Sequence, residues 1–203
     1  NGRFELTGIV PGHHELVIDG SNANRPGREY VQFVLGVDVG KGRITELPYA
    51  LYVPRVRAKD WINLNAPTSA ETVVKHPDLP GLEIHVPQGT VLRDRSGKIL
   101  TRIAVVPVPL DRAPFPAPDN FPIYFMIHPG GAIVQGLDPR TSPGIRIIYP
   151  NYNNDAPGTP HNFWLYDPRE RGWFVYGNAR VSDDGSQIVP EPGVGLYEHM
   201  AAG

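Results

Sequence analysis

Cysteine is absent from the 203 residues, which excludes disulfides and every cysteine-ligated zinc site. No apolar run approaches the ~18 residues of a membrane-spanning helix. No charged-then-apolar leader opens the sequence either, so an export signal, if the protein is secreted, is expected upstream of residue 1. Clustered positive charge is also missing. Nineteen Lys and Arg against 21 Asp and Glu leave a net charge of −2, without the basic footprint that nucleic acid or an anionic membrane requires. No stretch carries the 3.6-residue apolar period of an amphipathic helix, and no internal repeat is visible.

What the chain does have is punctuation. Its 23 Pro and 22 Gly make about one residue in five a breaker of regular structure, too many for long helices. They fall between short runs of Val, Ile, Tyr and Phe, the pattern of an all-β sandwich or barrel, and the length allows one large domain or two small ones. The clearest organisation lies over residues 81–108. Leu82, Ile84 and Val86 alternate with Glu83 and His85, predicting a half-buried strand. Pro87-Gln88-Gly89 then turns the chain into a short strand over 90–92, and Asp94-Arg95-Ser96-Gly97 forms a hairpin loop before the β-branched run 99–106.

Upstream, strands are expected near Phe4 and Leu6, over 15–18, over 30–39 with odd positions buried, and as one or two strands over 44–53. Downstream, 72–75, 121–127, 132–135 and 145–149 read as strands, and 181–189 as a small hairpin. The aromatic runs 163–166 and 173–176 are expected to pair across the Asp167-Pro168 to Gly172 loop. The prolines of 107–118 predict an extended polyproline-like rail.

Two resemblances follow from these motifs. Asn1-Gly2-Arg3-Phe4-Glu5-Leu6, with Val10-Pro11-Gly12-His13-His14-Glu15-Leu16, resembles the latter half of a carboxypeptidase-regulatory-like (transthyretin-like) β-sandwich. That family has strands before this motif, so the resemblance implies a first sandwich incomplete at its N-terminus, with the missing strands in a longer polypeptide or another chain. The second group comprises Val86-Pro87-Gln88-Gly89-Thr90, Val106-Pro107-Val108-Pro109-Leu110, Ile123-Tyr124-Phe125-Met126-Ile127-His128-Pro129-Gly130-Gly131 and Gly172-Trp173-Phe174-Val175-Tyr176-Gly177-Asn178. It is similar to the β-rich ectodomain found ahead of the YD repeats in bacterial RHS-type surface and toxin proteins, itself loosely ZU5-like. Together they imply a partial sandwich over 1–58, a linker over 59–71 and a second sandwich over 72–203. They also imply an extracellular or bacterial cell-surface setting, and carry over no catalytic residues.

Few residues point to chemistry. His13 and His14 are adjacent and project to opposite faces of a strand, so they cannot share a metal on regular backbone, and His128 has no ligand partner at zinc spacing. The loops of Asn151, Asn153, Asn154 and Asp155, and of Asp183, Asp184 and Ser186, are candidate structural calcium sites, although each offers only one or two carboxylates. None of the serines lies in Gly-x-Ser-x-Gly. Asp111 and Asp119 flank the proline rail without a recognisable cleft, and the Phe-Ser bond at which some ZU5-like proteins cleave themselves is missing. The reading is therefore non-enzymatic. Trp164, Tyr166, Trp173 and Tyr176 are the candidate contact residues, either as core and cross-strand pairs or as a glycan-stacking platform. The favoured role is structural, with an unpaired strand edge recruiting a neighbour, a homo-oligomer or polymer included. Glycan binding is the alternative.

Overall fold

The protein is described here by a computed structural model covering residues 2–114, 122–169, 172–199 and 201–202. It is all-β. The strands are β1 (Gly12–Asp19), β2 (Glu29–Tyr30), β3 (Gln32–Val39), β4 (Arg55–Val56), β5 (Trp61–Asn63), β6 (Thr72–His76), β7 (Leu79–Val86), β8 (Val91–Arg93) and β9 (Ile99–Leu100). They continue with β10 (Arg102–Pro107), β11 (Phe125–His128), β12 (Ala132–Gln135), β13 (Arg146–Pro150), β14 (Pro160–Asp167), β15 (Gly172–Val181), β16 (Gln187–Pro190), β17 (Glu198–His199) and β18 (Ala201–Ala202). Three single 3₁₀ turns are the only helical elements among the described residues.

Ten strands form one antiparallel sheet in the order β5-β10-β11-β18-β14-β15-β16-β13-β7-β6, and four more form a sheet in the order β17-β12-β8-β9. The larger core gathers Leu82, Ile84 and Val86 of β7, Ile103 and Val105 of β10, Phe125 and Ile127 of β11, and Phe163 and Leu165 of β14 with Leu92 of β8 and Val134 of β12 from the smaller sheet. The alternation read in 82–86 is thus a one-sided burial pattern, as the period of two requires.

β10 and β11 are buried on both faces. Ile103, Ala104, Val105 and Val106 are consecutive and at most 2% exposed. Their odd members face the large core, and Ala104 and Val106 face a second core together with Tyr124, Met126 and Tyr166. That second face is covered by the β1–β3 hairpin, whose Val31, Phe33 and Leu35 are fully buried there. Each such side chain stabilises the docking by about 2 kcal/mol of apolar burial. The N-terminal segment therefore closes no core of its own. The second core draws on residues from both sides of the expected boundary at 58, and the hairpin is a cover on the outer face of the main sheet.

Several local expectations need correction. Residues 2–10 form no strand; Phe4 and Leu6 are 58% and 59% exposed. Residues 44–53 are irregular, and Leu47, Tyr49, Leu51 and Val53 use a two-residue period to pack against the second core without a strand partner. The expected linker 59–71 contains β5, which pairs with β10, and holds the buried Asp60, Leu64 and Thr68. The run 99–106 is broken into β9 and β10. The proline rail is not extended throughout: Leu110–Arg112 is a 3₁₀ turn, and the Val108 N–H donates to the Tyr124 carbonyl. Its end, 115–118, lies outside the described residues, as does Phe121 at the start of the strand expected over 121–127. The hairpins β8–β9 and β14–β15 form where the turn residues place them.

Candidate functional site

The four aromatic candidates sit on β14 and β15, which pair from Pro160 opposite Arg180 to Asp167 opposite Gly172 with a bulge after Phe163. By alternation Trp164, Tyr166 and Trp173 share the face turned to the second core. Tyr166 is 7% exposed, and its ring meets Trp173 edge-on at 5.7 Å, with Tyr124 meeting Trp173 at 5.6 Å. Tyr176 faces the other way, against Phe163 at 5.9 Å in the larger core. The Tyr149 and Tyr176 hydroxyls approach each other there without hydrogen-bond geometry, and burial raises the pKa of both phenols. The four aromatics thus form no single exposed platform. Phe174 and Val175, which the sequence reading passed over, are the exposed apolar positions of β15.

In the two calcium candidates the central side chains, Asn151 and Asp184, are engaged within the protein. Asn151 is buried and ties its own loop to the neighbouring one, donating from Nδ2 to the carbonyls of Asp155 and Gly185, each at 2.9 Å. Asp184 accepts from the Ser182 hydroxyl at 2.6 Å, the Ser186 N–H at 2.9 Å and the Ser186 hydroxyl at 2.8 Å. These donors, the Ser182 hydroxyl first, hold its carboxyl down at about 2. This is Asx-turn chemistry. Among the described residues no three His, Asp or Glu side chains converge as metal ligands.

The most buried charged group was not singled out in the sequence. Asp60 is fully buried and accepts from the Arg57 backbone N–H at 2.7 Å, from Arg57 Nε at 3.0 Å and from His76 Nε2 at 3.0 Å. His76 in turn accepts the Asp78 N–H on Nδ1 at 3.1 Å. Both ring nitrogens are therefore committed, and the pair fastens β5 to β6 without a base left over for chemistry. A shallow groove of about 330 Å³ beside it is lined by Pro77, Leu79, Pro80 and Leu82, with the Lys75–Glu83 ion pair, 2.7 Å apart, at its side.

Three other histidines, His13, His14 and His128, act at the hairpin. His13 donates from Nε2 to the Pro168 carbonyl at 2.6 Å and faces Asp38 across 3.0 Å through Nδ1, joining β1 to the β14–β15 turn. His14 bonds the Val10 carbonyl. His128, at the end of β11, accepts the Gln32 N–H on Nδ1 at 3.3 Å and meets the Trp61 ring edge-on at 5.7 Å. Burial lowers its pKa to about 4, against the raising effect of Asp19. Tyr166 similarly accepts the Gly36 N–H on its hydroxyl at 3.0 Å. One edge of β3 is thus capped by side chains of the main sheet, and its other edge pairs with β1 over eight residues, Gly12 opposite Val39 to Asp19 opposite Gln32.

Among the described residues no strand lies beside the outer edge of β1. Gln32 and Gly36 send their N–H groups away from β1, so the residues opposite them, Asp19 and Glu15, are non-hydrogen-bonded partners, and the parity extends to Val17 and His13. Among the described residues the backbone N–H groups of Glu15 and Val17 meet no backbone acceptor, and Val17 is 50% exposed.

No family model matches the chain, and no curated protein or solved structure is significantly similar to it.

Proposed function

We propose that the chain is a non-enzymatic structural module that associates through strand-edge pairing, as part of a large exported or surface protein. The observation that supports the reading most is the outer edge of β1, beside which no strand lies among the described residues, on a hairpin whose inner face is buried and whose other edge is capped at Gln32 and Gly36. Natural sheets blunt such edges with bulges, prolines, short strands or charged side chains. Over Gly12–Asp19 β1 has no bulge or proline; its charges are Glu15, neutralised by Arg95, and Asp19 at the end, and an edge of that length is a template for another strand. The bacterial surface setting rests on the sequence resemblance alone.

The test is native mass spectrometry over a concentration series. Masses at multiples of 22.4 kDa, or a retained companion chain, support the reading; a monomer throughout overturns it. Glycan binding on Trp164, Tyr166, Trp173 and Tyr176 is the alternative, and the burial of Tyr166 and Tyr176 weighs against it.

A further inference from the structure

We infer that the partner of β1 is β1 of a second copy, paired antiparallel about a two-fold axis through Leu16, giving a continuous four-stranded sheet β3-β1-β1′-β3′. This deepens the assembly reading above and rests on it.

The argument is one of register. The outward-facing backbone groups of β1 belong to His13, Glu15, Val17 and Asp19, so a second β1 must place odd residues opposite odd residues for its N–H and C=O groups to meet them. Four antiparallel registers of that parity keep five or more residues of Gly12–Asp19 paired. Centring the axis on His14 pairs only Gly12 to Leu16 and leaves Val17, Ile18 and Asp19 without partners. Centring the axis on Glu15 sets Glu15 directly against Glu15′. Centring it on Val17 sets Glu15 against Asp19′ twice. Like charges directly opposite are unfavourable in a ladder. Centring it on Leu16 sets His13 opposite Asp19′, Glu15 opposite Val17′, His14 opposite Ile18′ and Leu16 opposite Leu16′, with no like-charge pair. It also uses the strand completely from 13 to 19.

The faces agree with this register. Leu16 and Ile18 lie on the side of β1 that adjoins the second core, so the Leu16–Leu16′ and Ile18–His14′ contacts extend that apolar layer across the axis. On the other side, Val17, 50% exposed in the single chain, is covered by the stem of Glu15′. Glu15 itself is held by Arg95 at 2.7 Å, which fixes the side chain at the edge without placing a backbone beside it. A β1–β1′ ladder is built from one patch meeting itself, the isologous arrangement that closes at a dimer and leaves no propagating edge.

The absence of native cysteine makes the register directly readable. Leu16 lies at a non-hydrogen-bonded position of the new ladder, where opposed Cα atoms are about 4.5 Å apart, within disulfide range. Leu16→Cys should therefore give a covalent dimer on diamide oxidation at protein concentrations where Ile18→Cys, which faces His14′, stays monomeric on a denaturing gel. Val17→Pro removes one outward N–H and leaves the β1–β3 bonds intact; it should give a folded chain that sediments as a monomer. Val17→Glu, at an exposed position that tolerates it, places two like-charge pairs in the dimer and should raise its dissociation constant by at least about tenfold. If the wild-type chain assembles but Leu16→Cys fails to cross-link and Val17→Pro still assembles, this register is overturned while the assembly reading survives on another surface. If the wild-type chain is monomeric at every concentration, both are overturned.

Discussion

Lowering the pH from 7 to 4 sets a proton against the contact that holds β3 to the main sheet. His128 Nδ1 accepts the Gln32 N–H, and the ring lies edge-on to Trp61 with Asp19 and Arg102 as its charged neighbours. A proton on Nδ1 would point at the Gln32 donor and abolish the bond. Burial lowers the pKa from 6.5 to about 4, with Asp19 opposing and Arg102 adding to the effect. Above pH 6.5 neither the folded nor the unfolded chain binds this proton, and the group leaves stability unchanged. As the pH falls below 6.5 the unfolded chain takes up the proton and the folded one does not, so stability declines until about pH 4 and then levels off. At about 1.4 kcal/mol per unit, the shift of about 2.5 units corresponds to a loss of about 3 kcal/mol.

The assay is denaturant unfolding at half-unit steps of pH for the wild-type chain and His128→Asn, which keeps an acceptor near the Nδ1 position and does not titrate. The difference in stability between the two should shift by about 3 kcal/mol in favour of the variant between pH 7 and pH 4. Carboxylates held low by donors, such as Glu83 beside Lys75 and Asp94 beside Ser96, lose their contribution at lower pH, as they protonate below their ordinary range, and they cancel in the comparison. A difference that stays flat over that interval, or a His128 ring titrating near 6.5 by NMR, would refute the reasoning.

Three further outcomes are expected. Asp60→Ala leaves the buried His76 donor and the Arg57 backbone N–H unanswered, while the Arg57 guanidinium keeps Asp78 at 2.8 Å, and should cost about 2–4 kcal/mol in chemical denaturation, far more than loss of the exposed Arg140–Asp138 pair. Gly36→Ala would set a methyl group 2.5 Å from the Pro168 carbonyl and 2.9 Å from the His13 ring; a loss of about 1–3 kcal/mol is expected, with faster proteolysis of residues 2–30 as the hairpin lifts. Tyr149→Phe and Tyr176→Phe each remove a buried hydroxyl without a hydrogen-bond partner, so each should change stability by less than about 1 kcal/mol in thermal melts.

Where one face of a strand met the core and turns were spelled by Gly, Pro and Asp, the sequence was enough. The 82–86 strand, the Asp94 to Gly97 loop and the 163–176 hairpin are of that kind. Where burial came from a distant segment, local pattern misled. Residues 44–53 alternate because Leu47, Tyr49, Leu51 and Val53 lie on the second core, and a two-residue period reports a buried side without reporting a neighbouring strand. Residues 59–71 are polar and turn-rich, yet their aspartate is the most buried charge, since three donors from Arg57 and His76 offset its desolvation. The aromatic density at 164–176 was visible, but the division of Tyr166 and Tyr176 between two cores depends on what covers each face. The Gly36 N–H bonded to the Tyr166 hydroxyl, 130 residues away, has no local signature.

The covering element could nevertheless have been demanded in advance. Ile103-Ala104-Val105-Val106 is apolar at every position, and a strand with both faces apolar must be covered on both sides. An antiparallel sheet with one solvated face would instead alternate, as 82–86 does. The same holds for Tyr124 to Ile127. Two adjacent strands of this kind expose an apolar patch that some other segment of the chain has to bury, and before residue 58 Val31, Phe33 and Leu35 supply a strand-forming triplet of matching period, with Leu47, Tyr49, Leu51 and Val53 packing beside it. Docking that triplet consumes one face of β3, and His128 and Tyr166 cap one of its edges. β1 then carries the edge of the hairpin that no described strand covers. The open edge is thus a consequence of burying the second face of β10 and β11, which ties the assembly surface to the same residues that close the core.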